Sequence, residues 1–271
     1  MPGDRTTASP NSSPGFCGLP PTLRDVIQLK DLIEKGSGLV FRVLPEGSKL
    51  AGGTLIAGFH GIGATGYWTV KFLITELKAE RRLFIDYAHT PAVASQAEGR
   101  IATPYEVFVS GGLALLKAEV SPLRERENEF YRELAEWIMG SGVDEVALVG
   151  GLDEALRNDE HPYKIAMTGA FAARGGFPSE PLLEEDRMIV GPVASLLNTF
   201  EMHSFPAYAV LAYSNTERVD PRAAASAAEF LSRRYGFKAD TAPLIKGAEV
   251  IEGEVKMIEQ KEKHPADSVY S

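Results

Sequence analysis

Hydrophobic residues in the middle of the chain alternate between short continuous runs and longer stretches where they recur every three or four positions. The short runs indicate buried strands, and the wider spacing indicates helices with one apolar face. The predicted strands are Gly38–Leu44, Gly53–Phe59, Arg82–Asp86, Val143–Val149, Lys164–Met167 and Ala207–Tyr213. The predicted helices are Gly66–Lys78, Leu123–Ser141, Val193–Met202, Arg222–Tyr235 and a last amphipathic segment, Ala242–Lys263.

Two local signals add detail to this pattern. Residues 106–119 hold two apolar runs joined by Gly111-Gly112, which predicts a hairpin or a bulged strand. Asp220 and Pro221 stand where a helix would need an N-cap acid and a first-turn proline. Strands separated by helices in this order predict an α/β sandwich with a mostly parallel or mixed central sheet.

The two ends of the chain differ from the middle. Residues 1–21 are rich in Pro, Ser, Thr, Gly and Asn, which predicts a disordered N-terminal arm. Residues 22–252 are predicted to form a single α/β domain. Residues 253–271 are predicted to hold the end of a C-terminal helix and a flexible polar tail.

Composition and charge narrow the class of protein. The chain has 271 residues, 44% hydrophobic and 24% charged, and a formal net charge of −9. Its longest basic clusters, Arg81-Arg82 and Arg233-Arg234, are too short for a nucleic-acid surface, so no nucleic-acid partner is expected. No apolar run approaches the ~20 residues of a membrane-spanning helix, so no membrane association is expected. The single cysteine, Cys17, and the lack of a signal-peptide pattern predict a cytoplasmic protein.

The segment HGIGATG, residues 60–66, has the spacing of a dinucleotide-binding loop, Gly61-x-Gly63-x-x-Gly66. Such a loop joins a strand to a helix whose N-terminus faces the phosphates, and an acid about 20 residues later binds the ribose. Asp86 occupies that later position.

Other residues in the same segment favour a purely structural turn. Gly58 and His60 interrupt the apolar strand that should lead into the first glycine. Tyr67-Trp68 is bulky where the helix of a dinucleotide site lies close to the sheet. Glycines in a strand-to-helix turn often serve backbone geometry alone.

The longer stretch Ala57–Gly66 resembles the Gly-Phe-Pro-Gly-x-Gly loop near the start of the proteasome assembly chaperone 2 family, with His60 where Pro is usual. Later motifs follow in the family's order, and the resemblance spans roughly residues 38–250. These motifs are a Gly-Gly turn at Gly150-Gly151, a short strand ending in Thr168-Gly169, and Gly191-Pro192 leading into a helix.

The resemblance implies a three-layer α/β/α sandwich similar to nucleoside phosphorylases and peptidyl-tRNA hydrolases. It also implies a homo-oligomer, from trimer to pentamer, and archaeal members of the family are associated with the proteasome. No cofactor is expected. Some family members have been labelled ATP-grasp enzymes, which need lysines over a nucleotide and clustered acids for Mg²⁺. The acids Glu184-Glu185-Asp186 are more typical of a solvated helix face, so no metal site is expected.

The chain ends in Val269-Tyr270-Ser271, the hydrophobic-Tyr-X pattern by which proteasome activators dock between α-subunits of the 20S ring. A terminal carboxylate can pair with a pocket lysine, a charge-assisted hydrogen bond of about 1.5–3 kcal/mol. Tyr270 can bury its ring and hydrogen-bond its hydroxyl group, and Val269 can fill a shallow slot. An oligomer would present several such tails. Tyr67, Trp68 and Phe72 are candidates for its exposed contact surface, or alternatively ordinary core residues.

The competing hypothesis is an enzyme. Asp86 and His89 follow a predicted strand, where α/β sheets tend to place their sites, and His60 lies in the glycine loop. A histidine beside an aspartate could act as a general base. No Gly-x-Ser-x-Gly or His-Glu-x-x-His motif accompanies them. The sequence therefore predicts a non-enzymatic proteasome assembly chaperone or activator-like protein. The alternative is a nucleotide-binding or hydrolase-type enzyme using the loop 58–66 and Asp86/His89.

Overall fold

An eight-stranded mixed sheet forms the centre of the fold in a computed structural model that describes residues 40–50, 52–97 and 99–249. Its strands are β1 (Phe41–Leu44), β2 (Thr54–Gly58), β3 (Glu80–Tyr87), β6 (Tyr105–Ser110), β7 (Leu113–Ala118), β8 (Glu145–Asp153), β9 (Tyr163–Met167) and β10 (Ala207–Ser214). Two further strands, β4 (Ser95–Ala97) and β5 (Arg100–Ala102), form a separate two-stranded hairpin.

The strands follow the order β1-β3-β6-β7-β2-β8-β10-β9 across the sheet. The four central strands, β7, β2, β8 and β10, are parallel, and the flanking pairs are antiparallel. Strands β2 and β10 are buried along their whole length, which explains their continuous apolar sequences TLIAG and AYAVLAYS. The predicted mixed sheet is confirmed.

Helices cover both faces of the sheet. They are α1 (Thr65–Glu76), α2 (Glu127–Gly140), the short α3 (Gly169–Ala173), α4 (Pro192–Met202) and α5 (Pro221–Tyr235), and residues 242–249 are also helical. Helices α1 and α5 pack together on one face, and α2 and α4 pack together on the other. This arrangement is the three-layer α/β/α sandwich that the resemblance implied.

The local signals in the sequence explain where several elements begin and end. The Asp220 carboxylate accepts hydrogen bonds from the Arg222 and Ala223 N–H groups at the start of α5, as its N-cap position predicts. The Gly111-Gly112 turn joins β6 to β7 in an antiparallel hairpin, with Ser110 opposite Leu113. Gly111 has φ +57°, a conformation that favours glycine.

The predicted Gly-Gly turn at residues 150–151 is wrong, because β8 continues through both glycines to Asp153. Their partners are Leu211 and Ala212 in the parallel strand β10. The hairpin of β4 and β5 and the short helix α3 were not predicted. Their sequences, SQA, RIA and GAFAA, are too short to show a hydrophobic period.

Within the described ranges, no helix combines the length and the hydropathy needed to cross a bilayer. The predicted N-terminal arm, residues 1–21, and the predicted tail, residues 253–271, lie outside the described residues.

Candidate functional site

The glycine-rich segment 58–66 joins β2 to α1 through a tight turn. A Cβ atom on Gly58 would lie 2.0 Å from the Gly66 carbonyl oxygen, and one on Gly66 would lie 2.4 Å from the Val149 carbonyl oxygen. Gly63 has φ +59°, and a Cβ there would lie 1.8 Å from the Ser214 hydroxyl oxygen. Close packing therefore requires glycine at these three positions. Gly61 differs, because its backbone is extended, with φ −167°, and a Cβ would meet nothing within 4 Å.

Another segment of the chain covers the amino end of α1, which is the end that faces the phosphates in a dinucleotide site. Thr65 and Gly66, at the amino end of α1, are buried. The Thr65 hydroxyl group lies 3.1 Å from that of Ser214, and the Asp220 N–H donates to the Gly63 carbonyl oxygen at 2.9 Å. The segment before α5 thus closes the amino end of α1. This geometry supports the structural-turn interpretation over a dinucleotide loop.

Asp86 does not join the glycine loop in one site. Strands β6 and β7 lie between β3, which carries Asp86, and β2, which leads into the glycine loop. At a strand spacing of ~4.8 Å, β3 and β2 are therefore about 14 Å apart across the sheet. The Asp86 carboxylate pairs with Arg42 on β1. The His89 ring packs edge-on against Tyr87, with 5.5 Å between ring centroids. The proposed combination of loop 58–66 with Asp86 and His89 is therefore not assembled.

The glycine loop borders an apolar crevice at the carboxyl ends of β2 and β8. The crevice has a volume of about 200 Å³ and is lined by residues 59–62, 149–152, 188–193 and 211. It brings together three motifs of the family resemblance, the glycine loop, Gly150-Gly151 and Gly191-Pro192. Met188 and Val190, at its rim, are 81% and 71% exposed. In open α/β sheets, ligands commonly bind outside the carboxyl ends of strands, which is where this crevice lies.

The three aromatic residues considered for self-association differ in exposure. Tyr67 is buried, and its hydroxyl group donates a 2.7 Å hydrogen bond to the Glu119 carboxylate. Trp68 and Phe72 are half-buried and pack against a small cluster formed by Ala224, Ala225 and Leu244. Tyr67 is thus a core residue in this subunit, and the other two have only part of their surface left for a partner.

An ionic cluster that sequence analysis missed lies on the α1 face of the sheet. The Arg81 guanidinium group donates to Glu106 at 2.7 Å. The Lys117 ammonium group lies 3.0 Å from Glu106 and 2.8 Å from Glu119. The Glu106 and Lys117 side chains are only 1% and 8% exposed. The sequence could have indicated the Glu106–Lys117 ion pair, because a two-residue turn at Gly111-Gly112 places these residues opposite each other on β6 and β7.

The ionic cluster continues to the glycine loop through Tyr67. Glu119 accepts the Tyr67 hydroxyl hydrogen bond, and the Tyr67 ring stacks on His60 with centroids 4.3 Å apart. Burial lowers the pKa of His60, although the Glu119 backbone and carboxylate act in the opposite direction. The imidazole of His60 is therefore largely neutral at pH 7.

Acid should weaken the ionic cluster. Burial acts to raise the pKa of both Glu106 and Glu119. Hydrogen bonds outweigh this effect and leave both pKa values lowered. Glu106 accepts hydrogen bonds from Thr103, Lys117 and Arg81, and Glu119 accepts them from Lys117 and Tyr67. A carboxyl group with a lowered folded-state pKa stabilises the fold above its unfolded-state pKa and loses that contribution as pH falls through the folded value.

We therefore expect the free energy of unfolding to fall as the pH drops below about 4.5, the ordinary value for glutamate. Carboxyl ¹³C shifts of Glu106 and Glu119 should titrate with midpoints below that value. Urea unfolding at a series of pH values measures the linked loss of stability. Midpoints above the ordinary value would show that desolvation outweighs the ion pairs.

The proteasome-docking triplet and the acids considered for a metal site remain to be placed. Val269, Tyr270 and Ser271 lie outside the described residues. Among the residues that the structure describes, no three His, Cys, Asp or Glu side chains converge in a way that could hold a metal ion. Glu184 instead pairs with Lys164 at 2.9 Å and helps to fix the segment beside β9.

The chain is a three-layer α/β/α sandwich whose three glycine motifs meet at one crevice, which is the class of protein that the sequence resemblance implied. The profile of the PAC2 family matches residues 55–259, which is more than half of the chain. The chain therefore belongs to the PAC2 family, and the family prediction is confirmed. No curated protein gives a significant match to the chain.

Solved structures show the same fold. Pyrococcus furiosus PbaA, an archaeal homolog of proteasome-assembly chaperone, has a TM-score of 0.68 at 23% identity, covering 83% of this chain and 100% of its own. P. furiosus PbaB, an archaeal proteasome activator, has a TM-score of 0.68 at 18% identity, covering 81% and 98%. A Mycobacterium tuberculosis proteasome-assembly chaperone homologue has 0.52 at 19%, covering 75% and 94%. These proteins are named for proteasome assembly or activation, and their likeness to this chain shows a shared fold.

Proposed function

We propose that this chain is a proteasome assembly chaperone or activator-like protein that docks on the α-subunits of the 20S particle through Val269, Tyr270 and Ser271. Its membership in the PAC2 family supports the proposal, as do the roles for which PbaA and PbaB are named. The proposed location is the cytoplasm, in keeping with the single cysteine.

The carboxy-terminal triplet is the observation that carries this proposal. The Ser271 carboxylate would pair with a cation of the partner, and the Tyr270 ring would bury apolar area there. Glu249 is the last described residue, and the 20 residues from it to Val269 span at most about 70 Å when fully extended. That length is the upper limit on how far the triplet can lie from Glu249.

The proposed protein acts as a homo-oligomer, from trimer to pentamer. A single docked tail binds weakly, because ordering a flexible segment offsets much of its contact energy. Once one tail has docked, the others bind at high effective concentration, which raises avidity by ~10²–10⁴. Trp68 and Phe72 remain candidates for the contact between subunits, since both are only half-buried.

Binding also fits the described geometry better than catalysis does. The amino end of α1 is closed by Ser214 and Asp220, so the nucleotide alternative lacks a phosphate site at the glycine loop. The hydrolase alternative lacks an assembled base, because Asp86 pairs with Arg42 and lies far from His60.

Deleting Val269–Ser271 should reduce binding to 20S particles by roughly 100-fold or more, because every tail of the oligomer loses its anchor. Tyr270→Ala should have nearly the same effect, since it removes the ring and its hydroxyl group. Co-sedimentation with 20S particles measures the loss, and analytical ultracentrifugation checks that the oligomer persists.

Two matched controls separate the side chains from the terminal charge. Exchanging the residues, Val269→Tyr with Tyr270→Val, keeps the composition but should abolish binding. Adding one glycine after Ser271 keeps all three side chains but moves the carboxylate, and should also abolish binding. Full binding by the deletion variant would refute the tail mechanism.

A further inference from the structure

A groove beside the ionic cluster has no role in the proposed function. It has a volume of about 610 Å³, within the range of small-molecule sites. One wall is the outer side of α1 and the residues that follow it, the floor is β3, β6 and β7, and the hairpin of β4 and β5 forms the other wall. Its charged lining residues are Lys71, Lys78, Arg81, Arg100, Glu106, Lys117 and Glu119.

The floor of the groove is internally balanced in charge but has hydrogen-bonding capacity left. Arg81 and Lys117 offset the two carboxylates of the ionic cluster. The ammonium group of Lys117 has three N–H donors, and its two ion pairs use two of them. The Phe108 ring lies 5.4 Å from the same nitrogen and limits its access to water. Charged groups in a cleft with such desolvation are typical of functional sites.

The rim of the groove is positively charged. Lys71 and Lys78 are exposed, and neither forms an ion pair with any residue that the structure describes. The Lys71 ammonium group lies 5.0 Å from the Trp68 ring centroid and 3.3 Å from the Tyr67 hydroxyl oxygen, which holds it beside the groove. This positive rim occurs in a chain whose net charge is −9. Five of the seven charged residues described in the lining are cations, and such an excess of one sign of charge concentrates ligands of the opposite sign.

We infer that this groove binds a small organic anion with two or more carboxylate or phosphate groups, held by Lys71 and Lys78 at the rim and by Lys117 at the floor. Carboxylate and phosphate share the chemistry that ammonium groups recognise. The apolar lining from Ile74 and Phe108 suits the carbon skeleton of such a ligand. The site lies on the outer side of α1 and is separate from the apolar crevice.

Isothermal titration calorimetry at constant ionic strength tests this inference with citrate and inorganic pyrophosphate as probes. We expect saturable binding of at least one probe, and the preferred probe distinguishes a carboxylate ligand from a phosphate ligand. Lys71→Met and Lys78→Met should each weaken binding by roughly tenfold or more, the loss of one charge-assisted hydrogen bond. Both residues are exposed, so both variants should fold.

Lys246→Met is the matched control, because Lys246 is exposed and does not line the groove. It changes the net charge equally and should leave binding unchanged. Acylation footprinting by mass spectrometry should show that the bound probe protects Lys71 and Lys78. Absence of saturable binding, or equal weakening by Lys246→Met, would overturn the inference. The inference would also be overturned if Lys71→Met and Lys78→Met changed only the oligomeric state. That result would identify the groove as a contact between subunits.

Discussion

Replacing Gly66 with alanine is expected to destabilise the fold by more than about 4 kcal/mol. The new Cβ would lie 2.4 Å from the Val149 carbonyl oxygen and 2.8 Å from the Phe59 nitrogen. Both are backbone atoms of central strands or their continuation, so neither can move without disturbing the sheet. Gly58→Ala should have a similar effect, since its Cβ would lie 2.0 Å from the Gly66 carbonyl oxygen.

Thermal unfolding measures this effect, and a loss of that size should lower Tm by roughly 10 °C or more. Gly61→Ala is the control within the same loop, because a Cβ there meets nothing within 4 Å. It should change stability by less than about 0.5 kcal/mol. A dinucleotide-binding loop would instead require glycine at position 61, which belongs to its fingerprint, and would not require glycine at position 58, which does not. Equal losses from Gly61→Ala and Gly58→Ala would contradict the packing explanation.

Replacing Lys117 with methionine is expected to cost about 3–5 kcal/mol of folding free energy. Methionine fills similar space, but it leaves Arg81 as the only cation paired with Glu106 and leaves Glu119 without its ion pair. The Glu106 side chain is only 1% exposed, so water compensates poorly for the lost cation. Urea unfolding at pH 7 measures the change.

Arg82→Met provides the comparison at an exposed ion pair. Arg82 and Glu80 are 63% and 72% exposed, so the loss should be below about 1 kcal/mol. The double variant Glu106→Gln with Lys117→Met should recover part of the stability, because it removes one buried charge along with its partner. If Lys117→Met costs no more than Arg82→Met, the ionic cluster is solvated and its assigned energetic role is wrong.

Much of the secondary structure could be predicted from the sequence, because its signals are local. The three-to-four spacing of Phe130, Leu134 and Ile138 predicts α2, and these side chains are buried as expected. Asp220 and Pro221 mark the first turn of α5, and Gly111-Gly112 marks the hairpin between β6 and β7. Each signal depends on residues within a few positions of one another.

The candidate sites were harder to predict because they depend on strand order. Asp86 follows the glycine loop by twenty residues, which suits a dinucleotide site only if β2 and β3 are neighbours. The hairpin of β6 and β7 lies between them instead. The same hairpin places Glu106 and Lys117 beside Arg81, so the strand order that separates one predicted site creates the ionic cluster.

The sequence by itself determined the α/β class, the family resemblance and the carboxy-terminal triplet on which the proposed function depends. Only the tertiary structure decided that Gly58, Gly63 and Gly66 serve close packing, that Asp86 lies across the sheet from them, and that a groove with a positively charged rim opens beside α1. The physical reason is that propensities, caps and turns act over a few residues. Strand order and side-chain burial depend instead on contacts between segments far apart in the chain, which a local pattern cannot encode.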